Sequence, residues 1–259
     1  VVGTTDDQSV PLLVSTQWLA EHLKDKKVLV LQICANRREY NKGHIPSARF
    51  VWGQSFAPSN PDGTSELPTI EQATSMFEEL GISHNSHIII CGSANRPTWQ
   101  TRLFFTLEYF GFGTHTSILD GGIDTWKKEV RNMSTEVPVA TKTKPMLTPK
   151  SESLANGEWL NNHLNDASVK IIDARDKRFY DGEDAGQSRR GRIPNAANIP
   201  YTTCFDSTGK FKDKASLASM FADAVAKRDI QVVTYCHIGQ QATVAYFVAR
   251  LLGYNASLY

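Results

Sequence analysis

The chain is written twice. Residues 27–40 (KVLVLQICANRREY) and 167–180 (ASVKIIDARDKRFY) each join a short β-branched run to charged residues and a tyrosine. GHIPSARF at 43–50 has its counterpart in GRIPNAANIP at 191–200, and HIIICGS at 87–93 in VVTYCHI at 232–238. LEYFGFGTHTSIL at 107–119 matches ARLLGYNASLY at 249–259. Matches in one order along both halves mean a tandem duplication, which limits the chain to two copies of one fold. The 259 residues leave each copy about 120, a comfortable domain. The spacing differs by one insertion, DGEDAGQS at 181–188, which reads as a loop.

Each half alternates strand-like and helix-like segments. In the first, a helix at 18–23 precedes the strand VLVLQI, and 70–81 carries helical apolar spacing ending at Gly81. The continuous apolar run 87–91 suits a strand covered on both faces, followed by a helix over 98–111, a strand at 117–119 and a helix at 123–129. The second half repeats this with segments at 157–164, 169–174, 216–227, 231–236, 242–253 and 256–259. Such alternation predicts an α/β fold: two tandem domains, each a mainly parallel sheet with helices on both faces. The domains are expected at 12–130 and 153–259. They are joined by a linker at 131–152 rich in Pro, Thr and Lys. After its last strand the first half continues DGGIDTWKKE, whereas the second stops at Tyr259. A missing final helix and an exposed apolar patch are therefore expected there.

Composition excludes several classes. The 28 Lys and Arg against 27 Asp and Glu give a net charge of +1, so no basic field awaits nucleic acid. No apolar run approaches the ~18 residues that span a bilayer, so no membrane role is expected. Residues 1–11 (VVGTTDDQSVP) read as a polar tail or as the start left by removal of an export signal, which leaves exported and cytoplasmic locations open. The cysteines, Cys34, Cys91, Cys204 and Cys236, are too scattered for a disulfide scaffold or a CxxC metal site.

Position separates these cysteines. In parallel sheets ligands bind beyond the carboxyl ends of strands, where the N–H groups of the next loop and helix point outward. Cys91 and Cys236 both stand there. After Cys236 comes His237-Ile238-Gly239-Gln240-Gln241 and then a helix, a loop short enough to curl its N–H groups around a sulfur anion. Such a cradle favours thiolate, the nucleophilic form. The loop after Cys91, GSANRPTWQTR, is three residues longer and interrupted by proline.

These residues carry a resemblance. The strand–Cys–HIGQQAT–helix unit, the DAR at 173–175, GHIP and GRIP after each first strand, and the DGG-x-x-x-W run ending at Trp126 resemble the rhodanese family of sulfurtransferases. The likeness covers nearly everything from residue 12 and matches the tandem two-domain branch, whose first repeat is usually inactive and whose second carries the cysteine. It implies that Cys236 takes sulfur from a small anionic donor, thiosulfate or 3-mercaptopyruvate. As a persulfide it would pass that sulfur to a thiophilic acceptor, namely cyanide, a thiol or a carrier protein. No cofactor is called for, because exchange at sulfur needs only a thiolate and stabilisation of a terminal sulfur anion. The alternative is a persulfide carrier that serves a protein partner with little small-molecule turnover. A phosphatase or arsenate reductase of the same fold carries a longer loop with arginine where this chain has Ala242. The loop CHIGQQ matches neither the cationic loop usual for thiosulfate nor the CG[ST]G[VL]T usual for 3-mercaptopyruvate. Donor binding is accordingly expected from Arg178 or Arg175 and from residues 237–241, with His237 offering a partial charge.

Other features have plainer readings. Arg175 is equally suited to a structural ion pair, and Cys91 and Cys204 to packing. A Cys34–Cys91 contact is held open, to be decided by geometry. His44 reads as a scaffold hydrogen-bonding residue, and the HxxH of His84 and His87 as a solvated turn. Phe104, Phe105, Tyr109 and Phe110, at helical spacing, read as core.

Overall fold

The computed structural model describes residues 10–186, 189–225 and 229–259. The first nine residues of the polar tail, Gln187 and Ser188 of the insertion, and the end of the helix expected over 216–227 lie outside them. The first half runs β1 (Leu13–Val14), α1 (Thr16–His22), β2 (Val28–Cys34), α2 (Arg37–Asn41), β3 (Arg49–Trp52), α3 (Ile70–Glu79), β4 (His87–Cys91), α4 (Pro97–Tyr109), β5 (Thr116–Leu119) and α5 (Gly122–Lys128). The second runs α6 (Gly157–Asn162), β6 (Val169–Asp173), α7 (Lys177–Tyr180), β7 (Ala197–Asn198), α8 (Lys214–Ala224), β8 (Gln231–Tyr235), α9 (Ala242–Leu251) and β9 (Asn255–Leu258).

Side-chain caps start several helices where the periodicity places them. Ser15 accepts from the Trp18 N–H and Asn156 from the Trp159 N–H. Thr69 and Gln72 close a reciprocal capping box on α3. The short α2, β3, α7 and β7 carry too few apolar residues to show a period, and the sequence pattern does not reveal them.

Both sheets are parallel, in the order β1-β5-β4-β2-β3 and β7-β6-β8-β9. A lone parallel bridge, Leu154 to Leu258, stands in the second sheet where β1 flanks β5 in the first. Central strands bury alternate residues on opposite faces. Val30 and Ile89 meet Trp126 and Leu19 on the outer face of the first sheet, while Leu29, Leu31, Ile88 and Ile90 join the central core. That central core is common to both halves and contains α4 and α9, packed against each other. On the second outer face Ile171, Val233 and Tyr235 are buried, and at the end of β9 Leu154 and Tyr259 are exposed.

The packing of α4 on α9 obeys the duplication. Thr101 and Thr243 occupy equivalent places and their hydroxyls meet at 2.8 Å. The pairs Phe104–Phe247 and Phe105–Tyr246 are both T-shaped with centroids 4.9 Å apart. Glu108 accepts from Arg250, its own counterpart, at 2.9 Å and from Tyr246 at 3.0 Å. A local two-fold axis therefore passes between Thr101 and Thr243.

Each half also sends a turn across to the other. Ser59–Ser65 of the first reaches the loop after Cys236, where the Ser65 N–H donates to the Ile238 carbonyl at 3.1 Å. Phe205–Phe211 of the second reaches the first, with the Phe211 N–H donating to Asp120 at 2.9 Å.

Candidate active site

Cys236 comes directly after the last residue of β8, and its loop closes onto α9 within five residues. Gly239 makes the closure, with φ of +71° in the left-handed region, and Gln241 then enters the right-handed helical region. A left-handed glycine just before a helix N-terminus is the kind of backbone that forms anion nests. Among the described residues, the main-chain N–H groups of residues 237–241 donate to no protein acceptor. Of the cysteines, Cys34, Cys91 and Cys204 are buried and only Cys236 is partly exposed.

The cavity at Cys236 is about 420 Å³ and is built by both halves. Thr64 to Leu67, Arg102, Phe105 and Tyr109 come from the first; Leu154, Cys236 to Gly239, Leu258 and Tyr259 come from the second. A larger groove, about 610 Å³, runs along Phe50, Trp52, Met76 and Leu80 of the first half, and no cysteine lines it. Chemistry, not size, selects the smaller cavity.

The expected binding residues separate. His237, Ile238 and Gly239 line the cavity, while Gln240 turns its amide to the Ser65 hydroxyl at 3.1 Å. Gln241 forms the first turn of α9. Arg175 is buried and committed: its guanidinium donates twice to Asp173, at 2.6 and 2.9 Å among other contacts, and to the Gly191 carbonyl at 2.8 Å. Its remaining amino group lies 3.2 Å from His237 Nε2, so it supports the loop from behind. Arg178 lies one layer farther out, exposed, 3.8 Å from Asp184 and stacked 4.6 Å over Phe179, which itself packs on His237. It does not line the cavity. Burial, and then the Arg175 cation, hold the His237 pKa below the ordinary histidine value, which disfavours the partial charge expected of it.

The corresponding loop of the first half is built differently. Asp124 of α5 accepts from Ser93 Oγ at 2.9 Å and the Ala94 N–H at 2.6 Å, so the loop already holds an anion of its own chain. Burial pushes the Cys91 thiol far up, and burial raises Cys204 to about 12. The pairing held open for Cys34 and Cys91 is not made. The strand register sets Cys91 opposite Gln32 and Cys34 opposite Trp52, and both thiols are free. His44 is buried, stacked on Tyr40 at 3.9 Å, with its ring nitrogens on the Tyr40 and Glu136 carbonyls. Of the HxxH pair, His84 is exposed, as the solvated-turn reading has it, and touches the Met146 carbonyl at 3.0 Å, whereas His87 is half-buried against Ser117 at 2.7 Å. Among the described residues no group of three His, Cys, Asp or Glu side chains could hold a metal.

Arg102 escapes a reading of the sequence altogether. It sits on α4 of the first half, is buried, and donates to the Gly239 carbonyl of the cysteine loop at 2.7 Å and to the Glu66 carbonyl at 2.6 Å. The available signal was its place in the repeat: a charged residue where the second copy carries Val244.

Two copies of a parallel α/β unit sharing one core, with a partly exposed cysteine in an amide-lined loop at a strand end, define a duplicated thiol-based group-transfer protein. The model of the rhodanese-like domain matches residues 15–129 and again 156–259, and the chain belongs to the rhodanese family. It is similar to the sulfur carrier protein TtuD of Thermus thermophilus, with 31% identity over 258 residues, covering 94% of this chain and 88% of the relative. It is similar also to the thiosulfate sulfurtransferase of Azotobacter vinelandii, with 27% identity, covering 96% and 91%. Among solved structures, SseA of Escherichia coli, a 3-mercaptopyruvate sulfotransferase, superposes with a TM-score of 0.82 at 25% identity, covering 96% of this chain and 98% of SseA. The chain is a sulfurtransferase of the tandem type. No helix among the described residues is long and apolar enough to cross a membrane.

Proposed function

We propose that Cys236 is the nucleophile and sulfur carrier, acting in two exchange steps. In the first, the thiolate attacks the outer sulfur of a donor anion, the bond from that sulfur to the donor breaks, and the donor fragment leaves with the electron pair. Thiosulfate would release sulfite and 3-mercaptopyruvate would release pyruvate, leaving Cys236-S-S⁻. In the second, a thiophilic acceptor attacks the terminal sulfur and the thiolate is regenerated: cyanide would leave as thiocyanate, a thiol as a persulfide. No net oxidant or reductant is required.

The observation that carries this reading is the set of main-chain N–H groups of residues 237–241, without protein acceptors, around the one partly exposed cysteine. They suit the terminal sulfur anion, whose charge main-chain donors can stabilise in place of bulk water. The first repeat, with Cys91 buried and its loop filled by Asp124, serves as the partner wall of the cleft. Arg178, free of the cavity, would draw anions to its mouth, and Arg175 would hold His237 in place. The phosphatase reading has no support in residue 242, an alanine buried at the start of α9.

Incubation with each donor followed by intact-mass measurement tests the proposal: one sulfur atom, about 32 Da, should appear on Cys236. A protein that gains no such mass from either donor overturns it. The similarity to the sulfur carrier TtuD supports a second reading, in which the persulfide goes to a protein acceptor. Loading without steady-state thiocyanate formation from thiosulfate and cyanide favours that reading.

A further inference from the structure

The duplicated helices α4 and α9 meet about one axis from Thr101–Thr243 through both aromatic pairs to Glu108–Arg250, and within that seam Arg102 is a cation with an apolar counterpart. The repeat register makes Val244 its counterpart. Arg102 is directed at the loop of Cys236, and both residues line one cavity.

The surroundings of Arg102 are unusual for a buried cation. Its two amino groups are met by main-chain carbonyls only, those of Gly239, Glu66 and, at 3.4 Å, Ser65. Its Nε is buried with no partner at all. It belongs to none of the ion pairs among the described residues. A buried guanidinium without a carboxylate is costly, since such charges are ordinarily paired. Burial lowers its pKa to about 10, opposed first by the thiolate form of Cys236, so it remains charged at neutral pH. The structure therefore holds a desolvated positive charge beside a cysteine whose working forms are anions.

We propose that Arg102 is the counter-charge of the sulfur anion on Cys236, so that the repeat without a nucleophile supplies the cation for the repeat that has one. This rests on the persulfide reading of the site. In that role Arg102 is a positioning residue: it acts through the charge on Cys236 and the carbonyl of Gly239. The other titratable groups around the cavity are Glu66 and Tyr109 from the first repeat and His237 and Tyr259 from the second, with Arg175 behind His237. Arg102 is the one cation lining the cavity among the described residues. Its charge is not diluted by water, because it is shut between α4 and the Ser65 turn.

The test is the pH dependence of Cys236 alkylation by iodoacetamide, followed by intact mass on the full chain, in Arg102→Gln and Arg102→Lys. Removing the charge should move the pH–rate curve upward by about one unit, a roughly tenfold slower reaction at pH 7. A folded Arg102→Gln with an unmoved curve makes Arg102 a mere staple of the three carbonyls and overturns the proposal. Arg102→Lys keeps the charge but cannot bridge those carbonyls, so sulfur loading should stay within about threefold of the parent. A loss beyond tenfold in that variant overturns the charge role independently, even if Arg102→Gln fails to fold. Alkylation does not depend on sulfur chemistry. A parent that takes no sulfur therefore sinks the sulfur-transfer reading alone, while an unmoved alkylation curve sinks the Arg102 role alone.

Discussion

At the scale of single residues, the difference between Cys236 and the other cysteines is one of exposure and neighbours. Cys91 stands at an equivalent strand end, but burial pushes its thiol up and Asp124 takes the Ala94 amide and the Ser93 hydroxyl of its loop. Cys236→Ser should abolish sulfur loading while the unfolding free energy from urea titration stays within about 0.5 kcal/mol of the parent, since the side chain is only partly buried. Loading and transfer at the parental rate by that variant would remove Cys236 from the mechanism. His87 predicts a pH effect on stability. Burial, with His22 adding repulsion, holds its pKa at about 4 against an unfolded value of 6.5. Between those values the unfolded chain binds more protons than the folded one, so stability is lost as pH falls through the window. Urea midpoints from pH 7 to 5 should decline, and the decline should be shallower in His87→Gln. Equal slopes would show that His87 is not the group responsible.

At the scale of elements, the two cysteine loops make opposite predictions. The loop over residues 236–241 needs a left-handed residue at Gly239, and a Cβ there would stand 3.3 Å from both the Arg102 guanidinium and the Ser65 carbonyl. Gly239→Ala should cost about 1–2 kcal/mol of stability and reduce the sulfur-loading rate at least tenfold, because the turn that aims the amides is strained. In the first repeat, Asp124→Asn weakens the bonds to Ser93 and Ala94 and should cost about 1–2 kcal/mol with sulfur loading unchanged. Thermal melts with loading kinetics check both; impaired loading in Asp124→Asn would give the first loop a part in the chemistry. The helices and central strands were legible because buried helical spacing and continuous apolar runs are strong signals. The short elements α2, β3, α7 and β7 were not, because two to five residues cannot display a period and the placement of β3 and β7 comes from the strands they pair with.

At the scale of the whole molecule, the two repeats form one core around a local axis instead of two beads on a linker. Thr101 meets Thr243, the aromatic pairs are reciprocal, and Glu108 pairs with Arg250 and Tyr246 across the interface. Glu108→Ala would leave Arg250 and the buried Tyr246 hydroxyl without their acceptor and should cost about 2–3 kcal/mol. The unfolding transition should stay single, because the central core spans both repeats. Two separated transitions in the parent protein would contradict a common core. The reciprocal turns, Ser59–Ser65 and Phe205–Phe211, extend the same arrangement to the two cysteine loops.

The sequence by itself determined the duplication and the parallel α/β architecture and singled out Cys236 over its counterpart as the candidate nucleophile, because repeats, periodicity and loop length are written along the chain. It also placed Arg175 and Arg178 near the site, without distinguishing a buttress from an exposed cation. Only the tertiary structure decided that Arg175 is bound to Asp173, that Asp124 reaches into the first loop, and that Arg102 comes from the other repeat to bond the Cys236 loop. The reason is physical. A charge is read in a sequence as a residue type, but its effect depends on which partners remain after folding, and for Arg102 the cysteine loop it faces lies more than a hundred residues away.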